Sequence, residues 1–354
     1  MADIDRLLKY LKENKGSDLH LAAGRTPRVR VHGELADVAG WSALENGKLR
    51  EMMREVCAEY RWNEYEVTHD ADFAYGLEGV ARFRANYFVQ QTGAGAVFRI
   101  IPEKILTVDD LKVPPAIQKL AELRQGLVVV TGPTGSGKST TLAAIIDKIN
   151  RENSRHIVTI EDPVEFVHQN QQSVLSHREV GYHTKGFAPA LRAAVRQDAD
   201  VVLVGEMRDR ETISLAITAA EMGMLVFGTL HTNSAAKTID RIIDAFPATE
   251  QPQVRLSLSE SLAAVVAQLL LPTADGKGRM AVHEILLRTQ GLPNLIREGN
   301  IQMLASVIQG GKAEGMQAMD DVLFQLATDG KIAGKDAYMK ANEKSRFERF
   351  APAD

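Results

Sequence analysis

Apolar residues recur at helical spacing at the start of the chain. Ile4, Leu7, Leu8 and Leu11 fall at i, i+3, i+4 and i+7, with Asp3 placed to cap the start and Gly16 to follow the end. That spacing predicts a short amphipathic helix. Polar and apolar positions then alternate over 19–22 and 28–31, the period of half-buried strands. A second helical pattern covers 49–60. Three more strands are predicted at 73–77, 81–89 and 96–101, the last preceded by Gly93 and Gly95. Residues 1–101 therefore read as a small α+β domain.

Residues 102–125 carry Pro102 and the pair Pro114-Pro115 and read as a linker. Beyond it the pattern changes to uninterrupted apolar runs at 127–130, 157–160, 201–204 and 225–227, alternating with helical segments. Such runs are the strands of a parallel sheet covered on both faces. This second domain extends over 126–289, and 290–354 reads as helices separated by glycines. The most apolar stretch, 262–271, has about half of the ~20 residues that a membrane-spanning helix needs, and Gln268 interrupts it.

Composition narrows the classes. A chain of 354 residues with 45% apolar and 25% charged residues can bury a full core, which excludes a disordered or collagenous protein. The formal net charge of −4 gives no pull toward nucleic acid or an anionic membrane surface. Cys57 is the single cysteine, set in the helical pattern at 49–60, so a disulfide framework is impossible. With an acidic start and no signal-peptide pattern, the expected location is the cytoplasm.

The chemistry begins at residue 132. Gly132-Pro133-Thr134-Gly135-Ser136-Gly137-Lys138-Ser139 fits the phosphate-binding pattern G-x4-G-K-[ST], directly after an apolar strand and before a helical run at 142–149. The bare pattern arises by chance in about 1% of chains this long, and correct flanking elements lower that further. Glycines let backbone N–H groups curl around a β-phosphate, the helix N-terminus adds its positive end, and Lys138 reaches the β- and γ-oxygens. Gly132, Thr134, Gly135, Ser136, Gly137, Lys138, Ser139 and Thr140 are thus the candidate ATP-binding residues, with Ser139 a ligand for Mg²⁺.

Three other strand ends carry polar chemistry. Gly205-Glu206 follows the run 201–204 and resembles a Walker B strand, although glycine stands where most P-loop enzymes have aspartate. Glu161, Asp162 and Glu165 follow the run 157–160, and His231 follows 225–227 within Gly228-Thr229-Leu230-His231-Thr232. Each alone reads as a solvated loop or a structural histidine. Together they converge on the strand edge where open α/β sheets bind ligands.

The acidic box at 159–165, the glycine-glutamate pair at 205–206 and the histidine box at 228–232, following a P-loop in that order, resemble the type II/type IV secretion ATPases. Within that superfamily the chain is similar to the retraction ATPases of type IV pili. The likeness includes Ser17-Asp18-Leu19-His20-Leu21, Ala81-Arg82-Phe83-Arg84-Ala85-Asn86, Gly93-Ala94-Gly95-Ala96-Val97-Phe98-Arg99 and Asn294-Leu295-Ile296-Arg297-Glu298. The resemblance implies a PAS-like N-terminal domain, a RecA-like C-terminal ATPase domain and a homohexamer. It also implies a peripheral position at the inner membrane beside a platform protein of the pilus machine. By the same resemblance Glu165 is the general base, Glu206 the Walker B carboxylate on the Mg²⁺ side, and His231 a γ-phosphate contact. Arginines of the N-terminal domain close over the nucleotide. Arg82 and Arg84 share one face of a strand and Arg99 lies on the next, which suits that role.

Departures from the family pattern are few. Gly291-Leu292-Pro293 replaces the first three residues of the family's A-I-R-N-L-I-R-E retraction motif, Ala199 replaces a proline before the Walker B strand, and His183 stands where aspartate is common. Pilus-assembly and type II secretion ATPases usually carry a tetracysteine zinc module, which a single cysteine cannot supply. An accessory retraction ATPase has no such distinguishing mark. A nucleic-acid translocase is disfavoured by the acidic balance and the lack of a basic-aromatic strip.

Overall fold

The computed structural model describes residues 2–101 and 104–352; Pro102, one of the linker prolines, lies outside them. The chain forms two compact units, one of residues 1–104 with 162–167 and one of 105–161 with 168–354.

In the first unit six strands form an antiparallel sheet: β1 (Asp18–Ala22), β2 (Arg28–Val31), β3 (Glu34–Asp37), β4 (Asp70–Leu77), β5 (Ala81–Gln90) and β6 (Gly93–Ile101), in the order β3-β2-β1-β6-β5-β4. Helix Asp3–Glu13 buries Ile4, Leu7, Leu8 and Leu11, the spacing read from the sequence. Its cap differs from that reading. Ala2 is the N-cap, while Asp5, in the first turn, accepts a hydrogen bond from the Ala2 N–H at 3.2 Å. At the other end Lys15 takes the left-handed conformation (φ 53°). Gly16 is needed for space instead, since a Cβ there would sit 2.5 Å from Leu11 Cδ1.

The predicted helix at 49–60 is two helices, Asn46–Glu55 and Glu59–Thr68, and Cys57 lies in the break between them. The break lets Met52 and Met53 from one helix and Trp62 and Tyr65 from the other enter the same core. Tyr87 sits at the centre of that core, edge-on to Tyr65, Phe73 and Phe98, and its hydroxyl donates to the Met53 carbonyl at 2.9 Å. Strand β3 was not anticipated because all four of its residues are exposed and carry no burial pattern.

The second unit is built on seven strands: β7 (Gly126–Thr131), β8 (His156–Glu161), β9 (Val174–Glu179), β10 (Val201–Val204), β11 (Leu225–Leu230), β12 (Leu262–Pro272) and β13 (Arg279–Leu287). Their order is β13-β12-β7-β11-β10-β8-β9. The sheet is mixed: β12 runs parallel to β7, but β13 returns antiparallel to β12. The apolar run at 262–271 is therefore a strand covered on both faces, which is why it reads as nearly continuous. Within β7, Val128 and Val130 face a core shared with Ile145 and Ile149 of helix Lys138–Glu152, while Leu127 and Val129 face the opposite core. Residues 108–121, inside the segment that reads as a linker, bury Val108, Ile117 and Leu120 in the first of these cores. Among the described residues, no helix is long and apolar enough to cross a membrane.

Candidate nucleotide site

Register brings the polar strand ends together. Thr131 lies opposite Leu230, Gly228 opposite Val204, and Val204 opposite Ile160, so β7, β11, β10 and β8 all end at one edge. The segments that follow them are the phosphate loop, the histidine box, Gly205-Glu206 and the start of the acidic box. A short network ties two of these ends. Thr131 Oγ1 accepts from the Thr232 N–H at 2.8 Å, and Thr232 Oγ1 lies 2.7 Å from Thr238 Oγ1 on helix Ala235–Asp244.

The phosphate loop turns through Gly135 (φ 78°) and Gly137 (φ 86°), conformations that side chains other than glycine rarely adopt. Helix Lys138–Glu152 begins directly after it, so Lys138, Ser139 and Thr140 occupy its first turn, where backbone N–H groups have no intrahelical partner. Lys138 Nζ donates to the carbonyls of Gly132 at 2.8 Å and Pro133 at 3.2 Å, folded back along the loop. Ser136 Oγ is buried with no hydrogen-bond partner. A cavity of about 640 Å³ opens beside the loop, lined in part by Pro133, His231, Thr232, Lys237 and Asn342.

Glu206 is held from two sides. Arg208 Nη2 lies 2.7 Å from its Oε2 and His231 Nε2 lies 3.0 Å from its Oε1. Burial pushes its pKa up, but the hydrogen bond and charge of Arg208, with His231, more than offset this and keep the carboxyl below its ordinary value. The group is thus an anion at neutral pH. An ionised carboxylate and a helix-start hydroxyl are hard oxygen donors of the kind that Mg²⁺ takes alongside phosphate and water, so the residues present fit that ion. No cluster of three or more His, Cys, Asp or Glu able to hold a metal ion by itself occurs among the described residues.

Buried polar groups behind the site were not anticipated from the sequence. Glu284 on β13 accepts from the Ala235 N–H at 2.8 Å and the Met319 N–H at 3.4 Å. It thereby caps both the helix that follows the histidine box and helix Met319–Thr328. Burial raises its pKa despite these two donors. Arg208 was also missed, although its place two residues after Glu206 was visible.

The remaining candidates belong to the first unit. Glu165, half-buried, lies in its segment 162–167. Arg84 on β5 and Arg99 on β6 stand directly opposite each other in the ladder. Like charges so placed repel, and each has an acidic neighbour: Asp72 lies 3.6 Å from Arg84 Nε, and Asp18 lies 2.7 Å from Arg99 Nε. Arg82 shares the strand with Arg84 and is partly buried.

The fold and this strand-edge cluster define an α/β P-loop nucleoside triphosphatase. Residues 1–327 match the family described as type II/IV secretion system protein, and the chain belongs to that family. It is 47% identical over 345 residues to the type IV pilus retraction ATPase PilT of Pseudomonas aeruginosa, covering 98% of this chain and all of that one. A twitching motility protein of Neisseria gonorrhoeae is 52% identical over 318 residues, covering 89% of this chain and 84% of that protein. The crystal structure of the pilus retraction motor PilT with bound ADP superposes with a TM-score of 0.91 at 42% identity, covering 99% of this chain and all of that one.

Proposed function

We propose that this chain is the motor that couples ATP hydrolysis to the retraction of a type IV pilus. The observation that carries the proposal is the grouping of the phosphate loop, Glu206 and His231 at one strand edge, in a chain that aligns end to end with a pilus retraction ATPase. On this reading the first unit is PAS-like, the second is RecA-like, and six copies form a ring. The motor works on the cytoplasmic face of the inner membrane against a platform protein of the pilus machine.

The chemistry assigned to the site is attack of water on the γ-phosphorus, with cleavage of the bond to the β,γ-bridging oxygen and release of ADP and phosphate. Phosphate-loop N–H groups and Lys138 hold the β- and γ-oxygens, and Lys138 offsets charge that grows in the transition state. Glu165 accepts a proton from the attacking water, and His231 contacts the γ-phosphate. Ser139 and Glu206 would hold Mg²⁺, which would neutralise phosphate charge when bound. Arg82, Arg84 and Arg99 close over the nucleotide once the ring is assembled, and Arg99 must then exchange its pairing with Asp18 for the phosphate.

Phosphate release from ATP by the purified chain tests the enzyme. Lys138→Ala is expected to lower the rate by orders of magnitude with the fold intact, and near-normal turnover would refute the assignment. Deletion in the native host tests the motor: surface pili are retained and twitching is lost. Normal twitching in the deletion strain would exclude the retraction role.

A further inference from the structure

The run 262–271 contains one polar side chain, Gln268, and the catalytic reading leaves it unexplained. It lies on β12, beside the phosphate-loop strand β7, and is only 2% exposed. Burying an amide is costly unless its donors and acceptors are met. Here both polar atoms of the amide find partners in the phosphate loop and its surroundings. Gln268 Nε2 donates to the Ser136 carbonyl at 2.6 Å. Its Oε1 accepts from Thr141 Oγ1 at 2.8 Å, and His283 Nε2 lies 3.2 Å away on the same side.

The backbone fits equally closely. A Cβ at Gly132 would lie 2.2 Å from the Gln268 carbonyl oxygen, and one at Gly137 would lie 2.9 Å from Nε2. The first and last glycines of the loop therefore leave the space that Gln268 fills. An apolar side chain could occupy the same volume, but it could not hold a carbonyl.

Holding that carbonyl has a consequence for the next peptide group. In a trans peptide the C=O of one residue and the N–H of the next point in opposite directions. With the Ser136 carbonyl drawn toward β12, the Gly137 N–H is turned away from β12, to the opposite side of the loop. An N–H held in place is what a phosphate loop offers to an anion.

We propose that Gln268 is a positioning residue for the phosphate loop, fixing the Ser136–Gly137 peptide so that its N–H meets the polyphosphate of a nucleoside di- or triphosphate. The proposal rests on the nucleotide reading above.

The test is calorimetric titration of the full-length chain with ADP and Mg²⁺, with circular dichroism as the check on folding. Gln268→Met keeps length and volume but not the donor, and is expected to weaken ADP binding about fivefold, the usual worth of one such bond. Gln268→Glu, made together with His283→Gln so that no imidazole can pair with the new carboxylate, adds a readout that packing alone would not move. Its ionised form cannot donate to the Ser136 carbonyl, whereas its protonated form can. ADP affinity relative to wild type is therefore expected to recover as pH falls from 8.5 to 6. If Gln268→Met does not fold, the Gln268→Glu pH series decides alone. ADP affinity in Gln268→Met within twofold of wild type, or a Gln268→Glu profile parallel to wild type, overturns the positioning role and leaves the nucleotide reading standing. A wild-type chain that fails to bind ADP overturns both.

Discussion

His283 stands behind Gln268 in the core and carries a prediction about acid stability. Only 3% of its surface is exposed, and burial pushes its pKa down from the ordinary 6.5 to about 4. The folded protein therefore keeps the ring neutral at pH values where the unfolded chain protonates it. Below pH 6.5 the unfolded state binds the extra proton, so stability is full above that value and drains away as pH falls toward 4. The slope is roughly 1.4 kcal/mol per pH unit for one proton, which over this window amounts to about 3 kcal/mol. His283→Gln removes the titration and keeps a side-chain N–H that can face Gln268 Oε1. Its stability is expected to depend less on pH than wild type between 6.5 and 4.5, by about one proton's slope, and to match the wild-type trend above pH 7. Urea unfolding at fixed temperature, followed by circular dichroism, measures this. Tryptophan fluorescence is unsuitable because both tryptophans, Trp41 and Trp62, lie in the first unit. Identical slopes in wild type and His283→Gln would refute the reasoning.

Glu165→Gln is expected to bind ATP with near-normal affinity and hydrolyse it poorly, because it removes a base and leaves the phosphate contacts intact. Normal turnover in that variant would move the base elsewhere, with Glu161 the next candidate. In the helix Leu292–Glu298, Leu292 and Ile296 are buried in the core whereas Arg297 and Glu298 are exposed. If this exposed end passes nucleotide-driven motion to the pilus machinery, replacing both charged residues by alanine leaves the melting temperature and ATP hydrolysis close to wild type while abolishing twitching; surviving motility would remove that role.

Local patterns in the sequence carried much of this protein. Ile4, Leu7, Leu8 and Leu11 mark a helix because helical spacing alone puts them on one face. The phosphate loop is legible because its glycines, Lys138 and Ser139 all fall within eight residues and their chemistry depends on backbone geometry within that stretch. Even the convergence of the strand ends was visible, since each polar cluster follows its own apolar run. What the sequence could not express is which individual side chains pair with one another. The run at 262–271 has no period that separates a buried strand from a buried helix, and only its pairing with β7 and β13 decides the matter. The pairing of Glu206 with Arg208 and His231, and of Arg99 with Asp18, depends on side-chain directions set by the folded chain. Gln268 shows the division most sharply. As a letter it is a flaw in an apolar run; its meaning lies in Ser136, Thr141 and His283, which reach it only when two segments distant in sequence pack around one buried amide.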